Sequence, residues 1–144
     1  MVVTTDVGDA TDIHPTQKAP VGHRLALAAR ALAYGDSIIY SGPLFKDVVF
    51  RGDRATVSFT SVGTGLVSGD GEPLRGFEMA GNDGTYYPAV AKIKNHAILL
   101  HSESVSSPSA VRYGWSHVPD VNLFNRSGLP ATPFTSSSRH PKHY

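Results

Sequence analysis

The sequence predicts a mainly β fold entered through one helix: a C-terminal β-sandwich-like unit preceded by a short strand, a polar loop and that helix. Three observations carry this. The chain of 144 residues holds 14 glycines and 10 prolines, a turn-rich composition that favours short strands. After Gly35, β-prone runs recur at roughly ten-residue intervals with Gly, Pro, Asp and Asn between them, the rhythm of a sandwich. Before Gly35 the apolar period is that of a helix.

In chain order, Val2-Val3-Thr4-Thr5 reads as a short strand and residues 6–14 as an acidic, small-residue loop. From Pro15 to Tyr34, Val21, Leu25, Ala28 and Leu32 form one stripe of a 3.6-residue period, with Gly35 placed to end the helix. Strands are expected at Ile38–Tyr40, Asp47–Arg51, Ala55–Thr60, Leu74–Met79, Tyr86–Ile93, Ala97–Ser102 and Ala110–Trp115. Residues 136–144 show no apolar period and are expected to form a flexible tail. The organisation is therefore 1–36, 37–135 and 136–144.

Thirteen basic against twelve acidic residues leave a net charge of +1, which does not mark a nucleic-acid binder. The chain has no cysteine, so disulfides, thiolate zinc sites and a cysteine nucleophile are excluded, while the compartment stays open. Apolar runs such as Ala97 to Leu100 fall far short of the roughly 20 residues that span a bilayer, and no membrane association is expected. The segment after Met1 has neither a basic start nor an apolar stretch, so a signal peptide is not expected.

The sharpest candidate for chemistry is Asp12-Ile13-His14-Pro15. Residues two apart in an extended segment project to one side, so Asp12 and His14 can present a carboxylate beside an imidazole, the pairing that orients a general base. The plainer alternative is a helix start in which Asp caps and His is merely exposed. Gly35-Asp36-Ser37-Ile38 imitates a Gly-Asp-Ser-Leu nucleophile block, but here the glycine closes a helix instead of the serine opening one. Gly63-Thr64-Gly65 and Gly69-Asp70-Gly71 lack the Lys-Ser/Thr ending of a phosphate loop and read as hairpin turns. Asp6, Asp9 and Asp12, or His14 with His23, do not match calcium-loop or His-x-x-x-His spacing. Tyr86, Tyr87, Tyr113 and Trp115 offer either core packing or a sugar-stacking surface, with Tyr113 and Trp115 expected on one face.

Met-Val-Val-Thr-Thr-Asp, Asp-Ile-His-Pro, Lys18, Val21-Gly22, Arg24-Leu25-Ala26-Leu27 and Tyr34-Gly35 together resemble the final block of sialate O-acetylesterases, members of the SGNH (GDSL-like) carbohydrate esterases. Ser41-Gly42-Pro43-Leu44, Gly63-Thr64-Gly65-Leu66, Gly76-Phe77-Glu78, Ala80-Gly81, Val111-Arg112-Tyr113, Trp115, Asn122-Leu123 and 128–134 (Gly-Leu-Pro-Ala-Thr-Pro-Phe) are similar to the β-rich C-terminal region of that family. The resemblance spans about residues 1–135. It implies that 1–36 is the last strand, catalytic loop and last helix of an SGNH hydrolase domain, and 37–135 an accessory β-sandwich.

It further implies a Ser-His-Asp hydrolase acting on O-acetylated carbohydrate, with His14 as base and Asp12 as its partner. The nucleophilic serine would come from an N-terminal region outside these residues, and no cofactor is implied. Many SGNH enzymes place the aspartate three residues before the histidine, where this chain has Thr11; Asp9 therefore stands as the alternative carboxylate. The resemblance also implies a secreted, periplasmic or lysosomal setting. A non-catalytic β-sandwich module that binds carbohydrate or a protein partner is the second reading.

Overall fold

A computed structural model describes residues 2–137. It contains one helix, α1 (Lys18–Ala33), and ten strands: β1 (Leu44–Arg51), β2 (Arg54–Thr60), β3 (Leu66–Ser68), β4 (Phe77–Ala80), β5 (Tyr86–Pro88), β6 (Val90–Lys94), β7 (Ala97–His101), β8 (Ala110–Tyr113), β9 (Leu123–Asn125) and β10 (Phe134–Thr135). The strands form two four-stranded sheets, ordered β1-β2-β7-β6 and β10-β8-β4-β5, and a two-stranded sheet β3-β9. All pairings are antiparallel. The fold is thus mainly β and sandwich-like with one helix before it.

Alternation explains the layering. In β2, Ala55, Val57 and Phe59 are buried between exposed or half-buried neighbours, and in β7 Ile98 and Leu100 are buried in the same way. The second sheet turns Phe77, Met79, Val111, Tyr113 and Phe134 toward them, so the two inner faces share one apolar cluster. Phe134 stacks on Phe45 at 4.5 Å and meets the edge of Phe59 at 5.8 Å. The Tyr113 hydroxyl accepts the Leu123 backbone N–H at 3.0 Å, so this largest fully buried side chain has its polar tip satisfied.

Several expected elements differ. Val2–Thr5 joins no sheet among the described residues, and neither does Ile38–Tyr40. The expected strand Tyr86–Ile93 breaks at Ala89: β5 pairs with β4 and β6 pairs with β7, so the chain crosses from one sheet to the other. The strand expected at Leu74 begins only at Phe77, after Gly76 in a left-handed conformation, while Leu74 makes a single bridge to Ala91. Residues 136 and 137 continue the β10 edge, where Ser136 exchanges hydrogen bonds with Val111; the rest of the expected tail, 138–144, lies outside the described residues.

The helix begins three residues later than expected, and Pro20 occupies its third position, where the missing N–H is one the helix leaves unpaired anyway. Its inward face is centred on Arg24 and Ala28, with Val21, Leu27 and Ala31 half-buried. The expected stripe is therefore only half covered: Leu25 is 55% and Leu32 65% exposed. Where the helix unit meets the sandwich, Gly42 lies so close to Pro130 that an added Cβ would sit 1.9 Å from its carbonyl oxygen.

Asn125, fully buried at the end of β9, donates to the Ser41 and Ser61 carbonyls and accepts the Ser127 and Leu129 N–H groups, each at 3.1 Å. Its amide therefore ties three loops together. Asn125→Ala strips partners from four backbone groups, and at about 1–3 kcal/mol for a buried unpaired group we expect a loss of at least about 2 kcal/mol, read by urea unfolding; a loss below about 0.5 kcal/mol would remove Asn125 from this role. The helix yields a second expectation. Leu25 and Leu32, each more than half exposed, forgo a good part of the about 1.5–3 kcal/mol that full burial of one such side chain is worth, so amides of residues 18–33 should exchange faster than those of β2 and β7, or be protected in proportion to protein concentration. Protection equal to that of the strands at every concentration would contradict this.

Candidate functional site

The loop before α1 is organised by two carboxylates with separate tasks. Asp9 Oδ1 accepts the Thr11 backbone N–H and hydroxyl, both at 2.8 Å, and the Asp12 N–H at 3.2 Å, which closes an Asx-type turn. These hydrogen bonds, the one from the Thr11 N–H foremost, hold the Asp9 carboxyl below its ordinary range. Asp12 Oδ1 in turn accepts the His14 backbone N–H at 2.8 Å and lies 3.4 Å from His14 Nδ1. The pair expected from spacing is thus side by side, through a turn and not an extended strand, and Asp9 builds the turn that delivers Asp12.

The pair is open to water: the His14 side chain is 82% exposed and that of Asp12 57%. It also lies upstream of the helix start, so the helix N-terminus does not act on the ring as it would had the helix begun at Pro15. With Nδ1 facing Asp12, Nε2 is the nitrogen turned to other partners. Among the described residues no Ser-His-Asp triad is assembled. Ser37 sits just beyond the helix end, after Gly35 at φ 77°, and its neighbour Asp36 accepts Arg30 Nε at 2.7 Å. That segment terminates a helix.

The residue holding this loop in place is one that spacing did not single out. Arg24, 7% exposed on α1, donates from both terminal nitrogens to Asp6, at 2.6 and 2.7 Å, and to the Val3 carbonyl at 3.0 Å. This two-pronged contact fastens the segment before the loop to the helix after it. The one available signal was a charged residue inside an otherwise apolar helix face.

A second polar grouping sits on the outer face of the β10-β8-β4-β5 sheet. Glu78 and Arg112 are direct cross-strand partners, with Arg112 Nε donating to Oε2 at 2.7 Å and a terminal nitrogen donating to Oε1 at 2.9 Å. The Arg112 guanidinium lies 4.0 Å over the Tyr86 ring. The aromatics do not form one surface: Tyr113 is core, while Gly114 at φ 62° ends the strand and swings Trp115 outward to 45% exposure. The glycine pairs at 63–65 and 69–71 lie in turns between strands. Asp70 there accepts from the Asn122 amide, Arg75 and Ser68, bonds that lower its carboxyl well below the usual range, the Asn122 bond most of all. Among the described residues no cluster of three His, Asp or Glu side chains converges in a way that would hold a metal.

The Asp9 turn carries a pH signature. Its carboxyl is held below the ordinary value near 3.8, so the turn is fully formed above that pH and lost as pH falls through the lowered value. The Thr11 and Asp12 amide resonances should therefore keep their positions at pH 4 and move only in stronger acid, and Asp9→Ala should displace both at neutral pH. Movement centred at or above the ordinary carboxyl value would show that the carboxylate does not hold the turn.

No family model matches the chain. Against curated proteins it is 28% identical to the sialate O-acetylesterase of Rattus norvegicus, an alignment covering 97% of this chain and 28% of that protein. Among solved structures it superimposes on a carbohydrate acetylesterase from Xanthomonas citri with a TM-score of 0.92 and 46% identity, covering 96% of this chain and 32% of that one. The chain thus spans less than a third of the length of these relatives. With matching sequence along nearly its whole length and a matching fold, this chain is a distant homologue of sialate O-acetylesterase and of a carbohydrate acetylesterase.

Proposed function

We propose that the chain is by itself a non-catalytic β-sandwich module that binds carbohydrate or a partner protein, and that it works as the C-terminal part of a carbohydrate O-acetylesterase. To that enzyme residues 1–36 bring the base His14 with its partner Asp12, as the end of an SGNH hydrolase domain, and residues 37–135 bring the accessory sandwich. The observation that carries the reading is an Asp12–His14 pair with 3.4 Å between carboxylate and ring, standing open with no triad assembled among the described residues. The Xanthomonas citri likeness over 96% of this chain and a third of that one supports it.

In this mechanism a serine outside this chain attacks the acetyl carbonyl of an O-acetylated sugar while His14 Nε2 takes the hydroxyl proton. Asp12 holds the ring by Nδ1 and stabilises the imidazolium. His14 then passes the proton to the departing sugar oxygen; water attacks the acyl-serine by the same route and releases acetate. Oxyanion donors come with the serine in this reading, as none is arranged around His14 among the described residues. The substrates are O-acetylated sialic acids or acetylated plant-type glycans, and Ser-His-Asp acyl transfer calls for no cofactor.

Two measurements test this. The chain alone should not turn over a chromogenic acetyl ester specifically; turnover abolished by Ser37→Ala would defeat the proposal and restore Gly35-Asp36-Ser37 as a nucleophile block. Joined to a serine-bearing α/β region, His14→Ala should lower kcat by about 10⁴ or more, with Asp12→Asn severe but milder. A larger loss in Asp9→Asn than in Asp12→Asn would move the carboxylate role to Asp9.

A further inference from the structure

A cleft opens on the outer face of the β10-β8-β4-β5 sheet. Glu78, Arg112 and Thr135 are paired across β4, β8 and β10 and so project together, as do Ala80, Ala110 and Tyr86 one step along. Ala110 and Gly81 keep the floor low, while Tyr86, Arg112 and Trp115 line the space around it. The result is an open-sided cleft of about 490 Å³, a size suited to a small ligand with mixed apolar and hydrogen-bonding surface.

The chemistry of the walls selects among ligands. Trp115 presents a half-exposed indole, a flat apolar plate that keeps a polar N–H. Tyr86 has one face under the Arg112 guanidinium, which fixes its ring. Arg112 and Glu78 cancel each other's charge through a two-pronged contact, yet that contact uses only two of the five guanidinium N–H groups, and the Asn82 and Thr135 side chains on the same wall add oxygens that can accept. A plate for a ring's C–H face, beside paired donors and acceptors without net charge, fits a pyranose with its apolar face and equatorial hydroxyls. A charged sugar would meet no uncompensated cation. We propose that this cleft binds an uncharged glycan, its ring laid against Trp115 and its hydroxyls on Arg112, whose charge Glu78 balances from beside the cleft, and on Asn82 and Thr135. Trp115 also lines a second cleft that reaches Thr5, next to Asp6, so a glycan longer than one ring can run from the sheet toward the segment that carries the Asp12–His14 loop.

The inference rests on the module half of the function proposed above and is tested without any turnover. Because Trp115 is the chain's one tryptophan, its fluorescence reports the cleft directly. Titration with cellohexaose or xylohexaose should give a saturable change, and hexagalacturonate, of equal length but charged, should bind at least tenfold more weakly. By calorimetry, Trp115→Ala and Tyr86→Ala should each weaken binding of the neutral oligomer at least tenfold, while Glu78→Gln, which leaves Arg112 uncompensated, should shift preference toward hexagalacturonate. No response to either neutral oligomer at about 10 mM, a Kd weaker than any useful site, would overturn the proposal. So would tighter binding of hexagalacturonate to the unaltered chain, or neutral binding that both aromatic variants leave intact. Failure here leaves the His14 kinetics standing, and failure of those kinetics leaves this titration standing.

Discussion

Everything N-terminal to the sandwich depends on the buried contact between Arg24 and Asp6. Taking two charges out of water is costly, and such a pair persists only where geometry and extra hydrogen bonds compensate. Here both prongs are short and the Val3 carbonyl accepts a further bond. Removing either partner would leave a lone charge under the helix, a loss of about 3–5 kcal/mol, so the contact fixes one arrangement of segment, loop and helix. Arg24 also lines the crevice shared with Tyr40, Gly42 and Pro130. The close approach of Gly42 to Pro130 therefore joins the sandwich to the same junction, and Asn125 secures that joint from the other side through the Ser41 carbonyl.

The outer cleft follows from the core. Because side chains alternate along a strand, burying Phe77, Met79, Val111 and Tyr113 obliges Glu78 and Arg112 to face out together. A one-residue slip between β4 and β8 would carry Arg112 into the apolar cluster, so the register that builds the core also pairs the charges. Core packing and the outer face are one constraint seen from two sides.

That constraint also decides what the sequence made legible. Strands with clear alternation, β2 and β7 above all, are readable because half their residues are apolar and regularly placed. β3, β9 and β10 are two or three residues long, too short to show a period, and exist because a partner strand lies beside them. The run from Tyr86 to Ile93 looks continuous, yet its two halves belong to different sheets, which only the partners β4 and β7 decide. Local spacing brought Asp12 to His14, since a two-residue separation allows few arrangements. It could not bring Asp6 to Arg24 across 18 residues or Glu78 to Arg112 across 34, nor show that Gly114 would part Trp115 from Tyr113.

The distribution of uncovered apolar surface bears on how the candidate base would work. Ile13, between Asp12 and His14, is almost wholly exposed, and Leu25, Leu32, Tyr34 and Ile39 are exposed along the helix and just after it. A carboxylate–imidazole contact this open is weak, because water screens both groups and competes for each. In serine hydrolases the orienting carboxylate is buried, where the same separation exerts a far stronger pull on the ring. In the proposed assembly, the surface that covers Ile13 and the helix leucines would also take water from Asp12 and His14. Apolar burial would then hold the helix and strengthen the carboxylate–imidazole contact in one step. The loop geometry is already in place through Asp9 and the Arg24 contact, so cover would add the low-dielectric surroundings without rebuilding the turn. A base that gains its strength only on assembly is silent in the chain alone, and that links the exposed helix face to the absence of turnover expected from it.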